Sequence, residues 1–459
     1  MTAITFPVTV ALVLALPTSL IDFATPVTAA TARHHRQDPS PVQLEWSSPT
    51  LIEGPTVPYP GGPSVPDHFY GFNTTHFYGP GAGGSWVFTA DAGTSWINTN
   101  SPASVPHPGA AMIPLDSSAG PGTHSFRTVG GGLYMSSPFQ WNTEGPQNYA
   151  VLPNGTGFSI TQSQGGSGPT HNVTFSGVPY PGVNDSSLLR PGRNCGIIQA
   201  ANGRYVLQAD VIWNGVPGPF HTRGTTWAPI SILSFTSADG YAWTYGGVIA
   251  NWSSVPGPGP MMWGPSEADI TLLSDNRTLL SVVRMDGDSS CFDSDVLPAN
   301  RNANTTTYRN YAASYSTDHG ESWSLPAAIP GTGCARPRVM QLAEGPLLLT
   351  GGRLCVENMT GIFLWINADG MGGTDSWVRH SITAQHNRLW QGDAKYLFSE
   401  MVNDSSVFET LSYTSIVATG PRSAAIMYNK FFHTEFGPGW PVKTWPGPNA
   451  NFVIHVRVK

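Results

Sequence analysis

The sequence predicts an all-β chain built from many small antiparallel sheets, and three observations carry that expectation. The first is composition. The 459 residues include 51 Gly, 41 Pro and 15 Trp, and only 11% are charged. Long amphipathic runs rich in Ala, Glu, Lys and Leu are missing, so short strands joined by turn residues fit better than helices. The second is the spacing of apolar runs. Stretches at 205–207, 230–235, 278–283, 347–350, 362–366 and 424–428 are each bounded by Gly, Pro, Asn or Asp. The segment 452–458 alternates apolar and polar residues, as a strand that closes a ring of sheets would. The third is a repeat.

That repeat reads S-x-D-x-G-x-x-W. Residues 316–323 fit it fully, and 89–96 fit it with Thr89 in place of Ser. Residues 237–243 are one residue shorter, and Asn367-Ala368-Asp369-Gly370 with Trp377 is a copy carrying an insertion. The pattern describes a turn. Ser and Asp side chains bond nearby backbone groups, Gly supplies a positive φ, and Trp packs back between strands. Recurrence beside strand-like runs points to radial repetition of small sheets, a β-propeller. The turn residues are a folding device and receive no catalytic role.

Three segments follow from the chain's composition. Residues 1–32 read as a signal peptide: an apolar stretch over 6–20 precedes the small residues Thr28, Ala29, Ala30, Thr31 and Ala32. Residues 33–66 are a Pro-rich lead-in, and 67–459 form the propeller. No later run is long and apolar enough to span a bilayer, so a secreted protein without a membrane span is expected. Nine N-x-Ser/Thr sequons, among them Asn251 and Asn276, and four cysteines (Cys195, Cys291, Cys334, Cys355) suit that route. The cysteines allow two disulfides in three pairings, and their wide spacing argues against zinc. A net charge of −7 without a basic stripe excludes nucleic acid as a partner. No metal, nucleotide or hydrolase-elbow signature occurs, so no cofactor is implied.

The repeated turn resembles the Asp-boxes of the sialidase superfamily of six-bladed β-propellers, whose blades are four-stranded antiparallel sheets. The resemblance covers mainly residues 190–430. Roughly 390 residues over six blades would be about 65 each, above the minimal 40–50, leaving length for functional loops. It implies three arginines that hold a sugar carboxylate, a Tyr nucleophile with a Glu partner, and an Asp acid/base. Guanidinium forks suit a carboxylate because they bond it in bidentate fashion. A neutral Tyr suits an anomeric carbon that already bears a negative group, and this family departs from the two-carboxylate rule of glycosidases.

On that resemblance the clearest match is the hairpin that runs from Glu267 to Arg284. Glu267 would be the partner of the nucleophile and Arg284 the second arginine. Arg193, ten residues before Gly203, would be the first arginine, with Arg190 and Arg127 as rivals. Arg353, after the apolar run 347–350, would be the third, with Arg336 and Arg338 as alternatives. Tyr413 in Ser-Tyr-Thr-Ser would be the nucleophile, although the stretch from Arg353 to Tyr413 is longer than in the family. The acid/base has no Asp at the family's spacing. Asp210 is the nearest, and His221 is the other candidate because imidazole also shuttles protons near neutral pH.

The reading implied by the resemblance is a secreted, retaining exo-α-sialidase acting on sialylated glycans. Two others stand beside it: a hydrolase of another sugar, such as an exo-arabinanase-like enzyme, and a glycan-binding propeller without turnover.

Overall fold

The computed structural model describes residues 42–56, 69–71, 74–80, 86–99, 189–213, 230–240, 242–251, 264–286, 310–333, 335–352, 361–398, 409–410, 413–431 and 449–459, with short strands between 111 and 176 and at 221–226. Across 111–195 the description is limited to the course of the strands. Residues 1–32, expected to be a signal peptide, most of the lead-in, Cys291, Cys334 and Cys355 lie outside it, as does the side chain of Cys195. Among the described residues no helix is long and apolar enough to cross a membrane.

Nearly all described elements are strands. β1 (Leu44–Trp46) and β2 (Thr50–Thr56) fall within the Pro-rich lead-in segment. The next four, β3 (Tyr70–Gly71), β4 (Phe77–Pro80), β5 (Trp86–Thr89) and β6 (Ile97–Thr99), form one antiparallel sheet in chain order. β7 (Ala111–Pro114), β8 (Ser125–Val129), β9 (Tyr134–Ser136), β10 (Gln140–Thr143), β11 (Gln147–Val151), β12 (Phe158–Ser163) and β13 (His171–Ser176) follow. Of these, β12-β11-β8-β7 make a second four-stranded sheet. β14 (Leu189–Gln199), β15 (Tyr205–Trp213), β16 (His221–Thr222), β17 (Thr225–Thr226), β18 (Ile230–Ser237) and β19 (Ala242–Asn251) come next. β14-β15-β18-β19 run antiparallel in that order, and β19 continues through β13 to β10 and β9.

The remaining sheets are regular. β20 (Gly264–Leu272), β21 (Leu279–Asp286), β22 (Ala312–Ser316) and β23 (Ala327–Ala328) form one antiparallel sheet in chain order. β24 (Arg338–Gln341), β25 (Leu347–Gly352), β26 (Ile362–Asn367) and β27 (Trp377–Ser381) form the next. A short helix, α1 (Ile382–Leu389), follows β27. The composition gave no sign of it. Its N-terminus is set by the hydroxyl of Ser381, which accepts the Ala384 N–H at 3.1 Å. The chain ends with β28 (Ser415–Gly420), β29 (Ser423–Phe431) and β30 (Asn449–Val458). β30 pairs antiparallel with β29 on one side and with β1 and β2 on the other. The alternating segment 452–458 thus joins the late strands of the chain to the early ones.

Apolar clusters fill the spaces between neighbouring sheets. Ile232 and Ile249 meet Ala268 and Val283 between the β14–β19 and β20–β23 sheets. Leu280 and Val282 meet Leu347, Leu349 and Trp365 between the next pair. Leu348, Leu364 and Ile366 meet Ile426, Phe452 and Ile454 beyond that. Phe77 and Val87 meet Val417 and Val453 between the terminal sheet and β3–β6. The leading strands of these sheets touch in succession: β14 with β20, β20 with β24, β24 with β28, and β28 with β3.

The four repeat copies form turns of one design. Ser316 Oγ bonds Asp318 at 2.7 Å and accepts the Gly320 N–H at 2.8 Å, while Asp318 accepts the Ser322 N–H at 2.9 Å. Thr89 with Asp91, and Ser237 with Asp239, repeat this set. In the interrupted copy Asn367 takes the place of the hydroxyl and accepts the Gly372 N–H at 2.9 Å. The turn also docks on the sheet before it. Ser234 Oγ donates to the Gly320 carbonyl at 2.8 Å and accepts from Trp323 Nε1 at 2.9 Å. Tyr315 donates to the Gly372 carbonyl at 2.7 Å in the same sense.

Gly320 has φ of +91°, and a Cβ there would lie 2.6 Å from Val206 Cγ1. Gly320→Ala is therefore expected to destabilise the fold by about 1–3 kcal/mol. Gly203→Ala is the control: φ is +81°, with nothing within 4 Å of the added carbon. Its cost should be roughly 1 kcal/mol. Thermal melts of the two variants check the order; equal melting temperatures would remove the inter-sheet contact as the cause.

Candidate functional site

Three sequence-chosen residues meet where the leading strands converge. Glu267 is the fourth residue of β20, Arg284 lies near the end of β21, and Tyr413 stands two residues before β28. The hairpin joining β20 to β21 aligns Ser266 with Arg284 and Ala268 with Val283, so Glu267 is the extra residue of a bulge. Its φ is +37°, a left-handed value that side chains other than Gly avoid. A bulge of this kind re-aims a side chain away from strict alternation. The conformation costs on the order of 1–3 kcal/mol and has to be held by its surroundings.

Those surroundings are polar and close. Tyr413 donates its phenolic proton to Glu267 Oε1 at 2.8 Å. Arg284 Nη1 donates to Glu267 Oε2 at 2.5 Å and lies 3.4 Å from the Tyr413 oxygen. The side chains of Arg284 and Glu267 are only 11% and 5% exposed, so the pair is largely out of water. Burial by itself would raise the Glu267 carboxyl. The charges of Arg284 and Arg336, with hydrogen bonds from Arg284 and Tyr413, outweigh burial and bring it down to about 2.

The segment that carries Tyr413 is pinned on both sides. Thr414 Oγ1 and Thr350 Oγ1 are 2.8 Å apart, linking it to β25. Ser415 Oγ accepts the Phe69 N–H at 3.1 Å. Upstream, Glu409 pairs with the buried Lys430 at 3.0 Å, and Thr410 donates to Asn429 at 2.9 Å. β20 and β24 are latched by side chains as well. Asp269 Oδ2 accepts the Val339 N–H at 2.9 Å, and Thr271 Oγ1 accepts the Gln341 N–H at 3.2 Å. Burial raises the Asp269 carboxyl, opposed by Arg338, whose Nη1 is 3.9 Å from Oδ1.

The other chosen residues lie elsewhere along the chain or outside the description. Asp210 is buried in β15, with Ile232 of β18 opposite it. Arg193 lies in β14 where the pairing with β15 is irregular, and its side chain is outside the described residues. Arg353 and Arg127's side chain are also outside them. Arg336 entered the sequence reading only as an alternative to Arg353. The structure puts it at the approach to β24, where its charge reaches Glu267. In the sequence it is one of two arginines flanking Pro337, the second of which opens β24. Among the described residues no cluster of His, Cys, Asp or Glu could hold a metal.

No protein-family model matches the chain, and no curated protein matches it. Among solved structures it is similar to a protein of unknown function from Dyadobacter fermentans, at 12% identity and a TM-score of 0.43, covering 90% of this chain and 100% of that one. It is similar to a sialidase from Trypanosoma rangeli at 12% identity and a TM-score of 0.35, covering 90% of this chain and 53% of the other. It is also similar to an alpha-L-arabinofuranosidase from Lactobacillus brevis, at 11% identity and a TM-score of 0.34, covering 75% and 89%.

Proposed function

We propose that this chain is a secreted glycoside hydrolase on a six-bladed β-propeller, and that it removes a terminal sialic acid or a related keto-acid sugar from glycans with retention of configuration. The observation that carries the reading is the phenol of Tyr413 donating at 2.8 Å to a carboxylate that two guanidinium groups hold ionised. A phenol so placed has a proton acceptor in contact with it. The guanidinium of Arg284, 3.4 Å from the phenol oxygen, supplies positive charge where a sugar carboxylate would lie.

In this mechanism Arg284 holds the substrate carboxylate, completed by Arg193 and Arg353. Tyr413 attacks the anomeric carbon as its proton passes to Glu267. The glycosidic bond breaks, and Asp210 gives a proton to the leaving oxygen. Asp210 then takes a proton from water, whose oxygen bonds the anomeric carbon as the glycosyl–tyrosine bond breaks, and Glu267 returns its proton to the Tyr413 oxygen. The negative charge beside the anomeric carbon disfavours an Asp or Glu nucleophile and favours the neutral phenol.

The test is hydrolysis of a fluorogenic α-sialoside, measured beside an α-L-arabinofuranoside by the same folded preparation across acidic to neutral pH. Turnover of the sialoside alone is the expected result. Turnover of the arabinoside alone would move the chain to a neutral-sugar hydrolase, and binding of sialylated glycans without turnover to a lectin-like role.

A further inference from the structure

The N-x-Ser/Thr sequons have no part in the mechanism above, yet in a secreted protein each offers an Asn side chain to an N-linked oligosaccharide. Two of them, Asn251 and Asn276, have side chains among the described residues. They stand at opposite ends of their sheets. Asn276 is at the tip of the hairpin joining β20 to β21, and Asn276-Arg277-Thr278 is its sequon. Glu267 and Arg284 lie at the other end of that hairpin. From Glu267 to the end of β20 at Leu272 is about 17 Å of strand. The tip also touches a repeat turn, since Arg277 Nε donates to the Thr317 carbonyl at 3.3 Å. Asn251 closes β19. Ile249 and Ala250 before it pack with Ala268, Val283 and Met285, beside Glu267 and Arg284. Val206 of the same sheet packs with Ile270 and Leu279, toward the hairpin tip. Asn251 is therefore at the end of its sheet where the candidate site lies.

The turn at the tip is held without the carboxamide of Asn276. Asp275 accepts the Arg277 N–H at 2.9 Å, the Thr278 N–H at 2.8 Å and the Thr278 hydroxyl at 2.6 Å. Asn276 contributes its backbone. Its N–H donates to the Leu273 carbonyl at 2.9 Å, and its φ of +52° is a left-handed value that Asn tolerates better than most side chains. Its side chain is exposed, as are those of Ser274, Asp275 and Arg277 around it. Asn251 is the reverse: half-buried, in register with Ser231 of β18 and engaged by its surroundings. A carbohydrate on Asn276 extends into solvent, whereas one on Asn251 has to displace contacts that the folded sheet makes. We propose that Asn276 carries an N-linked oligosaccharide and that Asn251 does not, so that the glycan stands beside the repeat turn and leaves the Glu267 end of the hairpin open. The donor is a polyprenyl-diphosphate-linked oligosaccharide. Nδ2 of Asn276 bonds the anomeric carbon of the first sugar as the bond from that carbon to the diphosphate oxygen breaks. The diphosphate leaves with the bonding pair, and one Nδ2 proton passes to solvent. The inference rests on the secreted part of the reading above and is independent of which sugar the site hydrolyses.

The experiment is expression of the full chain behind an added secretion signal in cultured eukaryotic cells, with peptide mass spectrometry of the protein from medium and cell extract. Release of N-glycans by an amidase in oxygen-18 water marks each modified Asn as a heavy aspartate. The peptide that contains Asn276 should carry the mark in most molecules, and the peptide that contains Asn251 should be unmarked. Asn276→Gly should increase gel mobility by the step of one glycan and leave the far-ultraviolet circular dichroism spectrum as in the parent, because Gly adopts a positive φ freely. Thr278→Ser, which keeps the sequon, should keep the glycan. An unmarked Asn276 in either fraction's folded protein would overturn the proposal. A marked Asn251 in the secreted protein would overturn the confinement of the glycan to the hairpin tip. Sialoside hydrolysis by the same preparation separates the two readings. Turnover with Asn276 unmarked keeps the activity and loses the glycan, and a marked Asn276 without turnover keeps the glycan and loses the activity.

Discussion

Tyr413→Phe is expected to abolish sialoside turnover, lowering kcat by on the order of 10³-fold or more, because the atom lost is the one that forms the covalent bond. The substitution removes one oxygen and leaves the ring in place. The hydroxyl's structural work is one hydrogen bond to a charged acceptor, worth about 1.5–3 kcal/mol. Thr350, Glu409 and Thr410 still hold the segment, so the variant should fold. Substrate binding should change far less than kcat, since Arg284 remains. A Phe variant with kcat within tenfold of the parent would assign the nucleophile elsewhere.

The second large effect is on stability. Arg284→Met removes one partner of a buried ion pair, while the charge of Arg336 still acts on Glu267. Breaking such a pair costs about 3–5 kcal/mol, and the presence of Arg336 places this case toward the lower end. Denaturant titration at neutral pH measures it. The double variant Arg284→Met, Glu267→Gln should recover much of the loss, because the carboxylate that lost Arg284 is then replaced by a neutral group. If the double variant is no more stable than the single one, lost packing rather than lost charge explains the cost.

Acid is expected to act on the same pair. The Glu267 carboxyl falls from an ordinary 4.5 to about 2 on folding. A group depressed in this direction contributes stability that is fully present above about 4.5 and is lost as pH falls through about 2. That contribution is on the order of 3 kcal/mol for the native chain. Glu267→Gln should flatten the pH dependence of the melting temperature between those limits; a slope equal to that of the parent chain would show that other carboxylates govern it.

Much of this site was written in local sequence. The hairpin from Glu267 to Arg284 carries its own turn, Ser274 to Arg277, so its two ends must meet wherever the hairpin packs. The repeated turns are equally local, since each Ser or Thr bonds an Asp two residues away. Tyr413 was found from its order along the chain and its small hydroxyl neighbours, and one of these, Thr414, does link it to β25. Other features depend on partners far away in sequence. Arg336 matters because β24 lies against β20, and no pattern near residue 336 states that adjacency. The left-handed Glu267 follows from a bulge, and a Glu in a Ser-Glu-Ala-Asp run gives no sign of one. Helix α1 is eight residues long and sits in the stretch between Arg353 and Tyr413. Its few apolar positions were too sparse to stand out from loop.

The position of β30 inside its sheet has a consequence for how the protein is made. β1 and β2 are synthesised long before β30, the strand they pair with. Roughly 400 residues separate them, and at about 5–20 residues per second that is a wait of roughly 20–80 s. Through that interval β1 and β2, and at its end β29, lack their pairing strand, and unpaired strand edges are sites where chains stick to one another. Arrival of a single segment of ten residues then satisfies all three at once. Assembly of this sheet thus waits for β30, and the nascent chain carries these open edges until that strand is made.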